Sequence, residues 1–130
     1  IPLYGTKDGG TTWNPVKYTG PYVKGLCAIN VVKNQFINHG KIGYKNNLYA
    51  VGRVGGPANI MISNDEGKSW TSKSMETYCG MLLDIKMCDE MKGIACAASD
   101  ADTRKSNALI LRTSDGGNTW QKVYQSNSRP

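Results

Sequence analysis

The side chains that could do chemistry are few and scattered. Ten carboxylates, one histidine and four cysteines are spread over 130 residues. A pair of carboxylates of the kind that cleaves glycosidic bonds could be drawn from Asp84, Asp89, Glu90, Asp100 and Asp102, but turn and edge roles explain all five. His39 sits beside Gly40 in a loop, and as the single histidine it completes no Ser-His-Asp set. Cys88 and Cys96 are eight residues apart, which with one histidine matches no zinc spacing. No catalytic, cofactor or metal site is assigned.

Recognition chemistry has more support. The formal charge of +6 is unevenly placed: between Asp8 and Asp65 there is no acidic residue, while Lys17, Lys24, Lys33, Lys41, Lys45 and Arg53 are basic. Tyr18, Tyr22, Tyr44 and Tyr49 lie in the same stretch. A one-signed surface with aromatic side chains attracts an anionic partner, such as an acidic protein face, a sulfated or sialylated glycan, or nucleic acid. The candidate contacts are Lys24, Lys41, Lys45, Arg53, Tyr44 and Tyr49. Nucleic acid is disfavoured, because no recognised binding motif is present. The plainer reading is a solvated basic surface.

The elements that must position these residues are marked by an octamer occurring three times. It spans residues 6–13, 63–70 and 113–120 and follows the pattern Ser/Thr-x-Asp-x-Gly-x-Ser/Thr-Trp. Asp8, Asp65 and Asp115 are 57 and 50 residues apart, one supersecondary unit each time. The carboxylate can accept backbone N–H groups a few residues on and close a tight turn. Gly10, Gly67 and Gly117 supply a positive φ that a Cβ resists, and the hydroxyl before the Trp can bond the turn backbone. Trp13, Trp70 and Trp120 then open the next strand and carry apolar surface into the gap between sheets.

This octamer resembles the Asp-box, or BNR repeat, of sialidases, sortilin-type receptors, several glycoside hydrolases and photosystem II assembly-factor-like propellers. The resemblance implies an all-β fold of four-stranded antiparallel blades arranged as a β-propeller. It also implies a structural role for the octamer residues, because in these families the box lies on the blade edge, away from the central site. Leu48-Tyr49-Ala50-Val51-Gly52 is similar to the Gly-aromatic-Ala-Val-Gly start of a second strand in the photosystem-factor-like blades. Gly93-Ile94-Ala95-Cys96-Ala97 departs from it at Ile94 and Ala97. The implied function is a non-catalytic scaffold or assembly-factor-like module that recognises a protein or an anionic surface. The alternative is a carbohydrate-active propeller, a sialidase-like hydrolase or a lectin. Sialidases, however, also need an arginine cluster, a Tyr–Glu nucleophile pair and an Arg-Ile-Pro motif well upstream of the first box, and the chain has four arginines.

A closed propeller needs at least about four blades, and a unit of about 50 residues leaves room here for about two and a half. Residues 1–25 read as the end of one blade, 26–77 as a complete blade and 78–130 as another. The chain opens on Ile1 in mid-blade, which predicts a segment whose remaining blades come from the same protein or from further copies. Predicted strands fall at 13–17, 26–32, 48–52, 59–63, from Trp70, 81–87, 93–98, 108–112 and 120–124. Residues 33–47 read as irregular, 89–92 as a turn and 99–106 as a polar loop. No segment has helical periodicity.

If residues 89–92 form the turn, Cys88 pairs near Gly93 and Cys96 opposite Ile85, which puts the two thiols on opposite faces of the sheet. No disulfide pairing is favoured. The even cysteine number fits a secreted, periplasmic or lumenal protein. No apolar run approaches the ~18 residues of a membrane span, and no Asn-x-Ser/Thr acceptor occurs.

Overall fold

The computed structural model describes residues 2–52, 57–102 and 104–127. Among them the fold is all β, with no helix, and it contains two four-stranded antiparallel sheets. The first runs in chain order through β3 (Ala28–Asn38), β4 (Lys41–Gly52), β5 (Asn59–Ser63) and β6 (Thr71–Ser74). The second repeats the meander with β7 (Met81–Met87), β8 (Gly93–Ala98), β9 (Ala108–Thr113) and β10 (Gln121–Gln125). Ahead of both lies a short pair, β1 (Tyr4–Gly5) against β2 (Asn14–Pro15).

The sheets stack in sequence order, and two apolar clusters fill the gaps. Between the sheets, Tyr49, Val51, Ile60 and Ile62 meet Leu82, Ile85, Leu109, Leu111 and Trp120. On the other side of the first sheet, Ala50, Met61 and Trp70 meet Val23 and the N-terminal residues Leu3, Val16 and Tyr18. Strand β5 therefore has apolar neighbours on both faces, and all five of its residues are buried. That is why Asn59-Ile60-Met61-Ile62-Ser63 reads as an unbroken apolar run, while β9 alternates buried with exposed. The strands that come first in each sheet, β3 and β7, face each other, and Asn30 Oδ1 accepts the Met87 N–H at 2.8 Å.

Three expectations need correction. Residues 33–47 are not irregular, because β3 and β4 pair without a break from Ala28↔Val51 to Asn38↔Lys41. The two-residue loop His39-Gly40 has positive φ at both positions, +52° and +75°, the twist a tight hairpin requires. The strand expected at 13–17 shrinks to Asn14–Pro15, and its partner β1 lies within the chain. The turn between β7 and β8 is one residue longer than expected. Asp89 accepts the Met91 and Lys92 amides at 2.8 and 2.7 Å, and the Cys88 N–H reaches the Lys92 carbonyl at 2.8 Å. The register becomes Ile85↔Ala95 and Asp84↔Cys96, with Cys88 beyond the end of β7.

The three octamer tryptophans differ sharply in burial. Trp70 and Trp120 are each 5% exposed, whereas Trp13 is 57% exposed and does not enter a gap between sheets. Trp70→Ala is therefore expected to lower the unfolding free energy by about 3–5 kcal/mol. Trp13→Ala should lower it by about 1 kcal/mol or less in dilute solution. Urea unfolding of the two variants measures the difference, and equal losses would mean that Trp13 packs as the others do.

Candidate functional site: octamer turns and a projecting ribbon

Each octamer is held by the same hydrogen bonds. Asp8, Asp65 and Asp115 accept the amide of the residue four positions on at 2.8–2.9 Å through Oδ1. Their Oδ2 atoms accept the hydroxyls of Thr12, Ser69 and Thr119 at 2.5–2.6 Å. The hydroxyl before the Trp thus bonds the carboxylate rather than the turn backbone. The opening hydroxyl of Thr6, Ser63 or Thr113 donates to the same Asp and accepts the amide of Gly10, Gly67 or Gly117 at 2.9 Å. Each indole N–H closes on the carbonyl of that glycine at 3.0–3.1 Å. These glycines have φ between +85° and +98°. The donated hydrogen bonds, first from the Thr12 or Ser69 hydroxyl and then from its amide, hold Asp8 and Asp65 down at about 2. The Thr119 hydroxyl and amide lower Asp115 in the same way.

The second octamer has one further task. Its Glu66 occupies a positive-φ position, +67°, where the other octamers have Gly9 and Gly116. From there the carboxylate accepts the backbone N–H of Asn46 at 2.5 Å and the Asn46 side-chain amide at 3.1 Å. A relay of amides runs in parallel: Asn34 donates to Asn47 at 3.0 Å, and Asn47 donates to Asn64 at 2.7 Å. The turn therefore grips the β3–β4 hairpin at the point where it leaves the sheet.

Beyond that grip the hairpin projects. Strand β5 pairs with β4 only from Leu48 to Gly52, so residues 33–46 form a two-stranded ribbon outside the four-stranded sheet. Pairing places Lys33, Gln35, Ile37, Ile42, Tyr44 and Asn46 on one face, and Asn34, Phe36, Lys41 and Lys45 on the other. The Lys33 ammonium lies 4.4 Å from the Tyr44 ring centroid, a cation–π contact. The Phe36 ring covers Gly43, where a Cβ would come within 2.6 Å of it. Ile37, Ile42, Tyr44, Lys41 and Lys45 are all exposed. Lys45 also borders a polar cleft of about 270 Å³ lined by Asn64, Lys73, Glu90 and Asp115.

Of the residues expected to bind an anionic partner, the ribbon carries Lys41 and Lys45 on one face and Tyr44 on the other. Lys24 is exposed but lies on the segment before β3. Tyr49 is not a surface contact: it is 0% exposed between the sheets, its hydroxyl donates to the Glu90 carbonyl at 3.4 Å, and burial raises its pKa. Arg53 lies outside the described residues. Lys33 and the Glu66–Asn46 grip went unassigned in the sequence, where Gly40 alone of the two loop residues marks the turn. Four of the five acids weighed as a hydrolytic pair serve local structure, and Glu90 borders the polar cleft. Asp84 accepts its neighbour's amide at 2.8 Å, Asp89 closes the β7–β8 turn, Asp100 accepts the Asp102 amide at 2.8 Å, and Asp102 pairs with Arg104 at 3.2 Å. Cys79, Cys88 and Cys96 are free thiols, and the Cys27 sulfur lies 3.3 Å from the Leu82 carbonyl. Among the described residues no helix is long and apolar enough to cross a membrane.

The chain matches no family model, no curated protein and no solved structure.

Two outcomes are expected. A carboxylate whose folded pKa is depressed contributes stability that is present above its unfolded value and lost as pH falls through the folded one. With Asp8 and Asp65 near 2 against an ordinary 3.8, the urea midpoint should fall as pH drops from about 4 to about 2. In Asp65→Asn the midpoint should start lower at neutral pH and decline less steeply. Separately, Glu66→Gly removes the grip on Asn46 while relieving the positive φ. Hydrogen exchange at the Asn46 amide should quicken by about tenfold or more, with little change in melting temperature. An Asn46 amide that exchanged as slowly as before would show that the Glu66 carboxylate does not hold the ribbon.

Proposed function

We propose that the chain belongs to a non-catalytic binding module of β-propeller type and that the ribbon of residues 33–46 meets an anionic partner. Two features support the propeller reading. The closing octamer is repeated with one hydrogen-bond geometry, and two four-stranded meanders stack in chain order. The observation that carries the binding reading is the ribbon itself. It presents Lys33, Lys41, Lys45 and Tyr44 and contains no acidic residue, while the nearby Glu66 is occupied by Asn46. Carboxylates and sulfates share the chemistry this surface suits, so an acidic protein face and a sulfated or sialylated glycan are both admitted. A carbohydrate-active propeller is the alternative.

A sulfated oligosaccharide, a sialoside and an acidic peptide, titrated against the wild type and against the Lys33→Ala/Lys41→Ala/Lys45→Ala variant, test the reading. Exposed charge pairs contribute up to about 1 kcal/mol each, so the triple variant should bind the preferred ligand roughly ten- to a hundredfold more weakly. Wild-type affinity should also fall with added salt. Unchanged affinity in the triple variant would remove the ribbon as the contact. Turnover of the sialoside would favour the carbohydrate-active alternative.

A further inference from the structure

The tight loop at the tip of the ribbon decides which of its backbone groups face outward. With His39-Gly40 as a two-residue loop, Asn38 and Lys41 exchange both of their ladder hydrogen bonds, and the pairs alternate from there. Phe36↔Gly43 and Asn34↔Lys45 are bonded pairs of the same kind. The residues between them turn their N–H and C=O groups outward: Lys33, Gln35 and Ile37 on β3, and Ile42, Tyr44 and Asn46 on β4. Asn46 fits this phase, because its N–H leaves the ladder for the Glu66 carboxylate.

The two edges of the ribbon are therefore unlike. On the β4 side, Glu66 occupies the outward amide at the root. On the β3 side, no group among the described residues bonds the outward backbone of Lys33, Gln35 and Ile37. The strand there is unbroken and contains no Pro. Such a row of donors and acceptors is a template onto which an extended chain adds as a further strand. The neighbouring side chains say what that strand must carry. Ile37, Ile42 and Tyr44 are exposed on one face and Phe36 on the other. Lys33, Lys41 and Lys45 lie among them, and residues 33–46 contain no acid. Two ribbons meeting edge to edge would bring these like charges together, whereas an acidic strand meets opposite charge.

We propose that the β3 edge at Lys33, Gln35 and Ile37 takes an extended acidic segment of a protein partner as an added strand. Main-chain hydrogen bonds to the outward groups align the segment, its acidic side chains lie beside Lys33, and its apolar ones lie beside Ile37 and Phe36. The inference rests on the reading that the ribbon meets an anionic partner. It narrows that partner to a polypeptide, because a glycan has no ladder of backbone amides to offer.

Three probes test it on the whole chain: a short peptide alternating glutamate with valine, the same peptide N-methylated at every amide, and a sulfated oligosaccharide. The first two carry equal charge and differ in their backbone donors. The wild type should bind the plain peptide about tenfold or more tightly than the methylated one. Bound peptide should slow hydrogen exchange at the Lys33, Gln35 and Ile37 amides, a protection that charge attraction alone does not give. Gln35→Pro removes one outward donor without touching the β3–β4 ladder, as an edge strand permits. It should weaken the plain peptide about tenfold or more and leave its thermal midpoint and any binding of the oligosaccharide unchanged. Equal affinity for the two peptides, or unchanged exchange at those amides, overturns the added strand while the ribbon still binds anions. So does a chain that binds the oligosaccharide and not the plain peptide. Binding of none of the probes, or peptide binding that survives in Lys33→Ala/Lys41→Ala/Lys45→Ala, overturns the added strand and the anionic reading together.

Discussion

One carboxylate per unit, Asp8, Asp65 or Asp115, organises everything around it. It gathers a hydroxyl from two residues before, and an amide and a hydroxyl from four residues after. With both oxygens engaged, the turn has one low-energy geometry, and the glycine in the left-handed region lets the chain reverse without a Cβ in the way. The indole N–H then bonds back to that glycine's carbonyl, so the position of the ring follows from the position of the acid. The aromatic anchor is preorganised by local hydrogen bonds before it meets any partner sheet. These bonds are charge-assisted, which explains how exposed carboxylates can be held well below their ordinary pKa.

Stacking follows from where those anchors lie. Trp120 joins the cluster between the sheets, and Trp70 joins the one beneath the N-terminal pair. The segment that leaves β2 is held along the edge strand β6. Thr19 pairs in parallel with Thr71, the Ser72 N–H reaches the Thr19 carbonyl at 2.8 Å, and the Ser72 hydroxyl reaches Pro21. Gly20, at a φ of +111°, passes so close that a Cβ would lie 2.5 Å from the Ser72 carbonyl. The N-terminal pair is thereby fixed over Met61 and Trp70, although it is too short to be stable alone. Its limited reach leaves Ile29 and Val31, on the same face of the first sheet, exposed.

The ribbon is a different kind of element, because it has no core to bury. Its order comes from an unbroken ladder, a two-residue turn that suits the strand twist, an aromatic ring over Gly43 and the grip of the second octamer at its root. The positive φ at Glu66 is unfavourable for a residue with a Cβ, and it aims the one carboxylate that reaches Asn46. A structural turn is thus joined to the basic ribbon that extends beyond the four-stranded sheet.

Features built from near neighbours were legible in the sequence. The octamers could be read because their hydrogen bonds span at most four residues, and β5 could be read because an apolar strand buried on both faces has an unbroken pattern. The ribbon was harder to see: with no buried face, its Lys, Asn and Gln residues show no alternation, and His39 stands where Asn or Gly would signal the turn. The β7–β8 register slipped because the Asp89 bonds lengthened the turn by a residue. Tyr49 has the look of a surface aromatic in a basic stretch, and only the arrival of the second sheet buries it. The clearest division is among the tryptophans. Three octamers with the same internal hydrogen bonds aim three indoles alike, yet Trp70 and Trp120 are covered and Trp13 is not. Local chemistry determines where an indole points, but burial requires another sheet to be there, and that is decided by packing between segments far apart in the chain.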